Sequence, residues 1–567
     1  MPWRGAMPCD VHLATSKDTA PQRQAAALRR RRVGITWAGM PGRNSRDNRS
    51  SMIRWPDLAI IVVYMAALIA IGARFSRRQT STERYFVAKR SVPAWAMGLS
   101  LLATLISSVT FIAYPGSAYA GDWSNLVPGL MTAPVLMLVA VVIIPFYRRA
   151  VGMSAYEYFG KRFGYPARVY SSIAFALTHF SKMGFVFYLL ALTVTSMTGW
   201  STERVIVGVG VVTVCYTLIG GIEAVIWADV LQGFALWAGI VICIAYLLFA
   251  LPGGPPAILH LAWSSGKISL GSMAPDLSKP TVLVLALYGF FYYLQRYVAD
   301  QTVVQRYLVA RSDRDALRGI VLGSALCIPV WTLFMLIGTL CWAFYHSVGE
   351  KLPAHIAKAD QVFPYFITQH LPAGLAGLFM AALFGAAMAN LSSDLNALSA
   401  IGVEDYYRHF RPDSTERQRL RVAKRVVAAC GALCVLIASV LAKTNGAALS
   451  LWYTVSAIVA GGLCGLFLLA FLAERASAAA AYIGIGVSLA FTTWATLTLD
   501  GGSVWNLGRY NFPFHNYMIG VIGHVLVWGV GYAASFALPN RDPLTRQLTL
   551  WGWRRLQRSA WREERRD

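Results

Sequence analysis

Asp229 lies about two turns inside the apolar run that follows Gly220-Gly221 and continues to Leu251. An ionised side chain at the centre of a bilayer costs roughly 2.5–3.5 kcal/mol on insertion scales, so it persists only where an ion or a basic neighbour offsets it. Asp229 is therefore read as a cation ligand; the competing role is an ion pair with a basic residue on a neighbouring helix. A second set of polar groups lies in the small-residue segment Ala381 to Ser399, where Ala386, Asn390 and Ser393 share one helix face at i, i+4, i+7 and Ser392 flanks them. Sodium is a hard cation, and hydroxyls, an amide oxygen and freed backbone carbonyls supply oxygen ligands without a full countercharge. Two further stretches put polar groups at membrane depth. Ser107-Ser108-Val109-Thr110 precedes Pro115-Gly116, and Tyr292 to Gln301 mixes aromatic and polar residues.

The elements that position these groups are membrane helices. Of 567 residues, 56% are hydrophobic and 14% charged, well below the ~25% charge of a soluble domain. Thirteen apolar windows recur, each long enough for a ~30 Å hydrocarbon layer, among them 56–75, 93–120, 166–198, 201–219, 223–252, 280–306, 372–402, 446–473 and 514–538. The chain is thus expected to be an all-α integral membrane protein of about thirteen transmembrane helices. The irregular segments fall in the second and seventh windows. Five windows apart, they suit a five-plus-five inverted-repeat transporter core with discontinuous helices and binding near the midplane. The alternative is a proline kink with ordinary packing of polar groups.

The net charge of +24 is not a nucleic-acid signature, because basic residues concentrate in alternate loops, including Arg77 to Arg90, Arg148 to Arg168, Arg306 to Arg314 and Arg408 to Arg425. This positive-inside pattern predicts a multi-pass protein of the inner (plasma) membrane with a cytoplasmic C-terminus, and thirteen spans then put the N-terminus outside. Residues 1–51 are polar, carry Arg29 to Arg32 and lack the apolar core of a signal peptide, so they are read as a disordered or over-called extension. Residues 52–540 form the membrane domain, and residues 541–567 a basic cytoplasmic tail. Eight cysteines and nine histidines show no metal-ligand spacing, and Cys430 and Cys434 are read as packing residues. With no Walker loop, nucleophile elbow or zinc motif, the chain reads as a carrier and not an enzyme, with no cofactor.

The segments Tyr85 to Pro93, Ser100 to Ala120, Gly220 to Gly233, Asp300 to Leu308 and Gly377 to Asp405 resemble the sodium:solute symporter family, and the likeness extends from Pro56 to about Leu538. Ser107 to Phe111 and Ala118 to Trp123 are most similar to its bacterial sialic acid symporters. The resemblance implies alternating access and sodium-driven uptake. It implies one sodium site built from the carbonyls of Ala103, Ile106 and Ala386 with two hydroxyls; Ala389 and Asn390 stand at the hydroxyl positions, so only an amide oxygen remains there. It implies a second site from Asp229, Ser392 and Ser393. For the solute it implies Ser107, Thr110 and a cation at Lys182 where that branch has arginine, while Leu105, Asn125 and Gly129 depart from the pocket. Lysine keeps the charge but loses bidentate carboxylate recognition; the competing role for Lys182 is an ion pair within the bundle or snorkelling. Asp394 matches no family position and is expected to be solvated in the inner vestibule.

The functional expectation is sodium-coupled symport of a small organic solute, carboxylated if Lys182 faces it, with sodium and the lipid bilayer as partners and no nucleic acid. Proton coupling, or a weakly coupled facilitator or solute sensor of the same fold, are the alternatives. One cation crossing 100 mV down a tenfold gradient supplies about 3.7 kcal/mol, or roughly 500-fold accumulation, so the number of working ion sites decides the capacity of the carrier.

Overall fold

The computed structural model describes residues 54–250, 254–348, 351–353, 356, 358–443, 461–499 and 505–563. The expected N-terminal extension lies outside them, as does part of the predicted span at 446–473. The described residues contain no β-strand, and their principal helices are α1 (Trp55–Ser76), α2 (Ala94–Leu105), α3 (Ser108–Ala120), α4 (Thr132–Ala150), α5 (Tyr165–Thr198), α6 (Thr202–Ala250), α7 (Val282–Ala299), α8 (Gln301–Val309), α9 (Asp313–Val348), α10 (Leu375–Ile401), α11 (Glu416–Lys443), α12 (Leu463–Leu472), α13 (Ala478–Leu497), α14 (Tyr517–Ala537) and α15 (Leu550–Glu563). Nine helices among these residues are long and apolar enough to cross a membrane, or up to eleven if each of two bent pairs is one span.

That count treats α6 as a single helix, although two spans are expected there. At about 1.5 Å per residue its 49 residues would reach some 74 Å, more than twice the hydrocarbon thickness. The helix is interrupted at Gly221 (φ +57°, ψ −156°), a conformation open to glycine and strained for any other residue. Space also requires glycine. A Cβ there would lie 2.8 Å from Tyr85 Cδ2 and 2.9 Å from the Tyr85 carbonyl oxygen.

The second and seventh windows are both broken, as their composition predicts. Helices α2 and α3 meet at Ile106 (φ −92°, ψ 117°), and α7 and α8 meet at Asp300 (φ −95°, ψ 116°). Two extended residues, Ile106 and Ser107, divide the first span and one, Asp300, divides the second; Ile106 and Asp300 have nearly the same dihedrals. Ser107 caps α3, accepting the Thr110 N–H at 3.4 Å, and Asp300 caps α8, accepting the Thr302 N–H at 2.8 Å. Proline at position 115 then sits inside α3 without ending it.

Helix α10 runs through the middle of the bundle and is buried along nearly its whole length, which explains its run of Gly, Ala and Ser. It packs on α1, α2, α5, α6 and α11. Its N-terminus is held by Asp57 of α1, whose carboxylate accepts the N–H groups of Gly374 (2.7 Å) and Gly377 (2.8 Å).

Candidate functional site

The break at Ile106 removes the acceptors' helical partners, so the carbonyls of Ala103 and Ile106 turn towards α10, where the Ala386 carbonyl joins them. These are the three backbone oxygens of the expected sodium cradle, and the structure brings them together. What fills the cradle is a side chain. Asn390 Nδ2 donates to Ile106 O at 2.9 Å, Ala386 O at 3.1 Å and Ala103 O at 3.4 Å. Three converging acceptors demand a donor, so the amide turns its nitrogen inward and its oxygen away. The expectation is that Asn390 lends an oxygen to a sodium ion here; in this structure the amide instead directs its nitrogen at the three carbonyls. Its N–H groups point at all three carbonyls, and Ala389 adds no hydroxyl.

The second set of expected ligands also meets, around a protein cation. Asp229 and Arg306 are both fully buried, with Arg306 Nη2 3.1 Å from Asp229 Oδ2. Ser100 donates its hydroxyl to the same oxygen at 2.6 Å, and Arg306 Nη2 reaches Ser393 Oγ at 2.6 Å. Thr104 Oγ1 approaches Ser393 Oγ at 3.3 Å, and Ser392 turns back to the Ala389 carbonyl at 3.2 Å. The ion pair weighed as the competing role of Asp229 is therefore present. Its partner was assigned from the linear charge pattern to a cytoplasmic loop; that placement is corrected, because Arg306 lies on the half-helix α8 inside the bundle. One oxygen of the carboxylate remains uncommitted. Asp229 Oδ1, both polar atoms of Gln232 one turn further along α6, and Tyr64 Oη on α1 are buried without a hydrogen-bond partner among the described residues. A Cβ on Gly385 would sit within 3.1 Å of both Tyr64 Oη and Gln232 Cγ, so those two side chains meet at α10.

A third cluster, unforeseen as a unit, joins α5, α10 and the α7–α8 break. Lys182 Nζ is 2.8 Å from Asp394, and the side chain remains 27% exposed whereas Asp394 is sealed. His179, one turn earlier on α5, places Nδ1 2.8 Å from Asp394 Oδ1 and Nε2 3.3 Å from Asp300 Oδ2. Arg296 pairs with Asp300 from the last turn of α7. The expectation of a solvated Asp394 is thus overturned; two basic side chains hold it in the interior. His179 sits alone in an apolar run and its partner Asp394 is 215 residues away, so nothing in the linear sequence joins them.

Of the remaining solute candidates, Ser107 and Thr110 form a reciprocal capping box at the start of α3, Ser107 N lying 3.5 Å from Thr110 Oγ1. Helix α3 packs on α5, the helix that carries Lys182. Asn125 donates to Ser117 Oγ at 2.7 Å, and the space beside Gly129 is taken by Trp331, whose Cε3 would lie 2.7 Å from an added Cβ.

Comparison with known proteins accords with this architecture. A family model described as "Sodium:solute symporter family" matches residues 85–487. The chain is 31% identical over 484 residues to the sodium/sialic acid symporter NanT of Aliivibrio fischeri, covering 85% of this chain and 93% of the relative. It is 32% identical over 488 residues to the sodium/sialic acid symporter SiaT of Proteus mirabilis (85% and 95%) and 28% identical over 446 residues to the human sodium-coupled monocarboxylate transporter 1 (77% and 72%). Among solved structures it is similar to a substrate-bound, outward-open Na+-coupled sialic acid symporter, with a TM-score of 0.79 at 30% identity over 86% of this chain and 100% of that one. A nucleobase-cation-symport-1 transporter, Mhp1, shares the fold alone (TM-score 0.51, 14% identity, 82% and 97% covered).

Proposed function

Because the chain belongs to the sodium:solute symporter family, we propose that this secondary active transporter of the plasma membrane uses sodium to take up a small carboxylated solute, a sugar acid or monocarboxylate, by alternating access. The observation that carries the solute class is Lys182. Its side chain is partly exposed, and its ammonium pairs with Asp394, which is wholly buried. A carboxylate arriving from the exposed side exchanges one anion for another at the lysine, so the ammonium is never left unpaired in a low dielectric. Ser107 and Thr110, at the neutral start of α3, supply hydroxyls to the same solute. The relatives' sialic acid and monocarboxylate substrates both fit a carboxylated cargo.

For the coupling ion, the support is family membership together with the uncommitted oxygens beside Asp229. Asp229 Oδ1, Gln232 Oε1 and Tyr64 Oη are oxygen donors buried without partners, as a sodium ligand set requires. The carbonyl cradle of Ala103, Ile106 and Ala386 does not fit sodium while Asn390 fills it. Coupling then rests on one sodium rather than two; a monocarboxylate entering with one sodium carries no net charge, so the membrane potential drops out and a tenfold sodium gradient supports about tenfold accumulation. The positive-inside pattern supports a cytoplasmic C-terminus.

Proteoliposomes loaded with potassium and diluted into sodium or potassium medium test the reading with radiolabelled N-acetylneuraminate, gluconate and pyruvate. At least one should accumulate only in sodium, and accumulation should vanish in Lys182→Met. Transport confined to neutral sugars or polyols, with Lys182→Met still active, would mean that the lysine serves only the bundle.

A further inference from the structure

The imidazole of His179 lies between two carboxylates, one at each ring nitrogen: Asp394 Oδ1 at Nδ1 (2.8 Å) and Asp300 Oδ2 at Nε2 (3.3 Å). The ring is 4% exposed and stacks on Phe175 at 3.8 Å between centroids. A carboxylate can only accept, and a neutral imidazole has only one N–H. In the neutral form, then, one ring nitrogen would direct its lone pair at a buried carboxylate oxygen. A second ring proton makes the Nδ1 contact a charge-assisted hydrogen bond and the Nε2 contact an ion pair at 3.3 Å.

The surrounding charges are accounted for from every side. From α5 itself, Lys182 reaches Asp394. Arg296 reaches Asp300 from α7, and Thr302 donates both its N–H and its hydroxyl to Asp300 Oδ1. Arg306 of α8 acts electrostatically on both carboxylates, with its own ion pair directed to Asp229. Tyr156 donates its hydroxyl to the Ala299 carbonyl beside Asp300, and the Cys434 thiol of α11 is turned to Met183. Asp300 and Asp394 are thus matched one for one by Arg296 and Lys182: Asp300 Oδ2 and Asp394 Oδ1 accept from those cations, Asp300 Oδ1 accepts from Thr302, and Asp394 Oδ2 lies 2.8 Å from the Lys182 ammonium. The imidazole is the group left to hold an additional proton, which brings the cluster to one net positive charge.

We propose that His179 is a proton-binding site of the transport core, loaded as imidazolium between Asp300 and Asp394, and that this proton travels with the carboxylated solute. The second half rests on the solute reading above. When Lys182 turns to the solute carboxylate, Asp394 loses its ammonium and the imidazolium remains to balance it; the solute's negative charge and the proton's positive charge then cross together. On the outer side the ring takes a proton from a hydronium ion, one O–H bond breaking as the N–H bond forms and leaving water; on the inner side, when the two carboxylates part, the N–H bond breaks and the proton returns to water as hydronium.

The state of the ring is measurable without any solute. Full-length chain labelled with 15N-histidine and reconstituted in lipid bilayers is compared with His179→Asn by solid-state NMR at pH 7. The signal lost in the variant should show both ring nitrogens protonated, and Asp394→Asn should convert it to one protonated and one bare nitrogen. A neutral ring in the wild type at pH 7 would overturn the proton site. Should His179→Asn fail to fold, His179→Gln, with one donor and one acceptor, serves for the subtraction. The coupling is read in proteoliposomes carrying an internal pH dye. Entry of N-acetylneuraminate, gluconate or pyruvate should acidify the lumen in the wild type, and uptake without acidification would overturn co-transport. Failure of all three solutes counts against the solute class, while the nitrogen spectrum still decides the proton site.

Discussion

Replacing Ala389 and Asn390 together by serine should turn a protein-filled cradle into one that loads sodium. The wild-type amide makes three hydrogen bonds to the carbonyls of Ile106, Ala386 and Ala103, at 2.9, 3.1 and 3.4 Å. At about 1 kcal/mol each, with the longest contributing least, their loss costs about 2–3 kcal/mol when no ion replaces them. In potassium the double variant should therefore unfold at a lower temperature or denaturant concentration than the wild type. In sodium, the three carbonyls and two new hydroxyls provide five neutral oxygens. A site filled at one hundred times its Kd returns about 2.7 kcal/mol, nearly offsetting the lost bonds. The assay is unfolding of detergent-solubilised protein across a sodium series at constant ionic strength, with the wild type measured alongside to subtract the contribution of the Asp229 region. Equal sodium-dependent stabilisation of the two proteins would refute the reasoning, because the cradle would then respond to sodium alike with and without the amide.

Further outcomes follow from the other two clusters and from the kink in α6. Asp229→Asn or Arg306→Met alone should destabilise the fold by about 3–5 kcal/mol, because each strands a buried charge, whereas the double variant should recover much of that loss; simple additivity in unfolding measurements would argue against a coupled pair. Asp229→Asn should also raise the sodium concentration for half-maximal uptake, and unchanged sodium dependence in the folded fraction would remove Asp229 from the ion site. Lys182→Met should abolish carboxylate uptake while the protein still elutes as a folded species, since His179 continues to hold Asp394, and Lys182→Arg should keep part of the activity. Gly221→Ala should lower stability by more than about 1 kcal/mol, because alanine must adopt a positive φ against the Tyr85 backbone; an unchanged melting temperature would show that the kink relaxes.

Much of the fold was legible because hydropathy and helix breakers act locally. Apolar length marks most of the spans, and the hydroxyl-rich Ser107 to Ser117 and polar-aromatic Tyr292 to Gln301 segments mark where spans are interrupted. The candidate residues are legible as polar groups at membrane depth, but their partners are not. Arg306 reads as a loop charge beside Arg311 and Arg314, since a linear count of basic residues does not show that α8 starts at depth, after Asp300. Asn390 reads as an oxygen donor because its amide offers either end. Only the convergence of three carbonyls from α2 and α10 selects the nitrogen. His179 and Asp394 each look isolated in the chain, and only the packing of α5 on α10 makes them neighbours.

The two matched breaks in the chain carry opposite electrical arrangements. Each interruption leaves a helix C-terminus, with its partial negative charge, and a helix N-terminus, with its partial positive charge, inside the membrane-spanning bundle. At the α7–α8 break these fields meet full charges of the right sign: Arg296 lies in the last turn of α7, and Asp300 caps the first turn of α8. At the α2–α3 break the corresponding positions carry none. The carbonyl end of α2 meets the neutral Asn390 amide, and the amide end of α3 meets the neutral hydroxyls of Ser107 and Thr110. The two breaks thus give one gap whose macrodipoles are met by full charges and another whose poles are met by neutral groups alone.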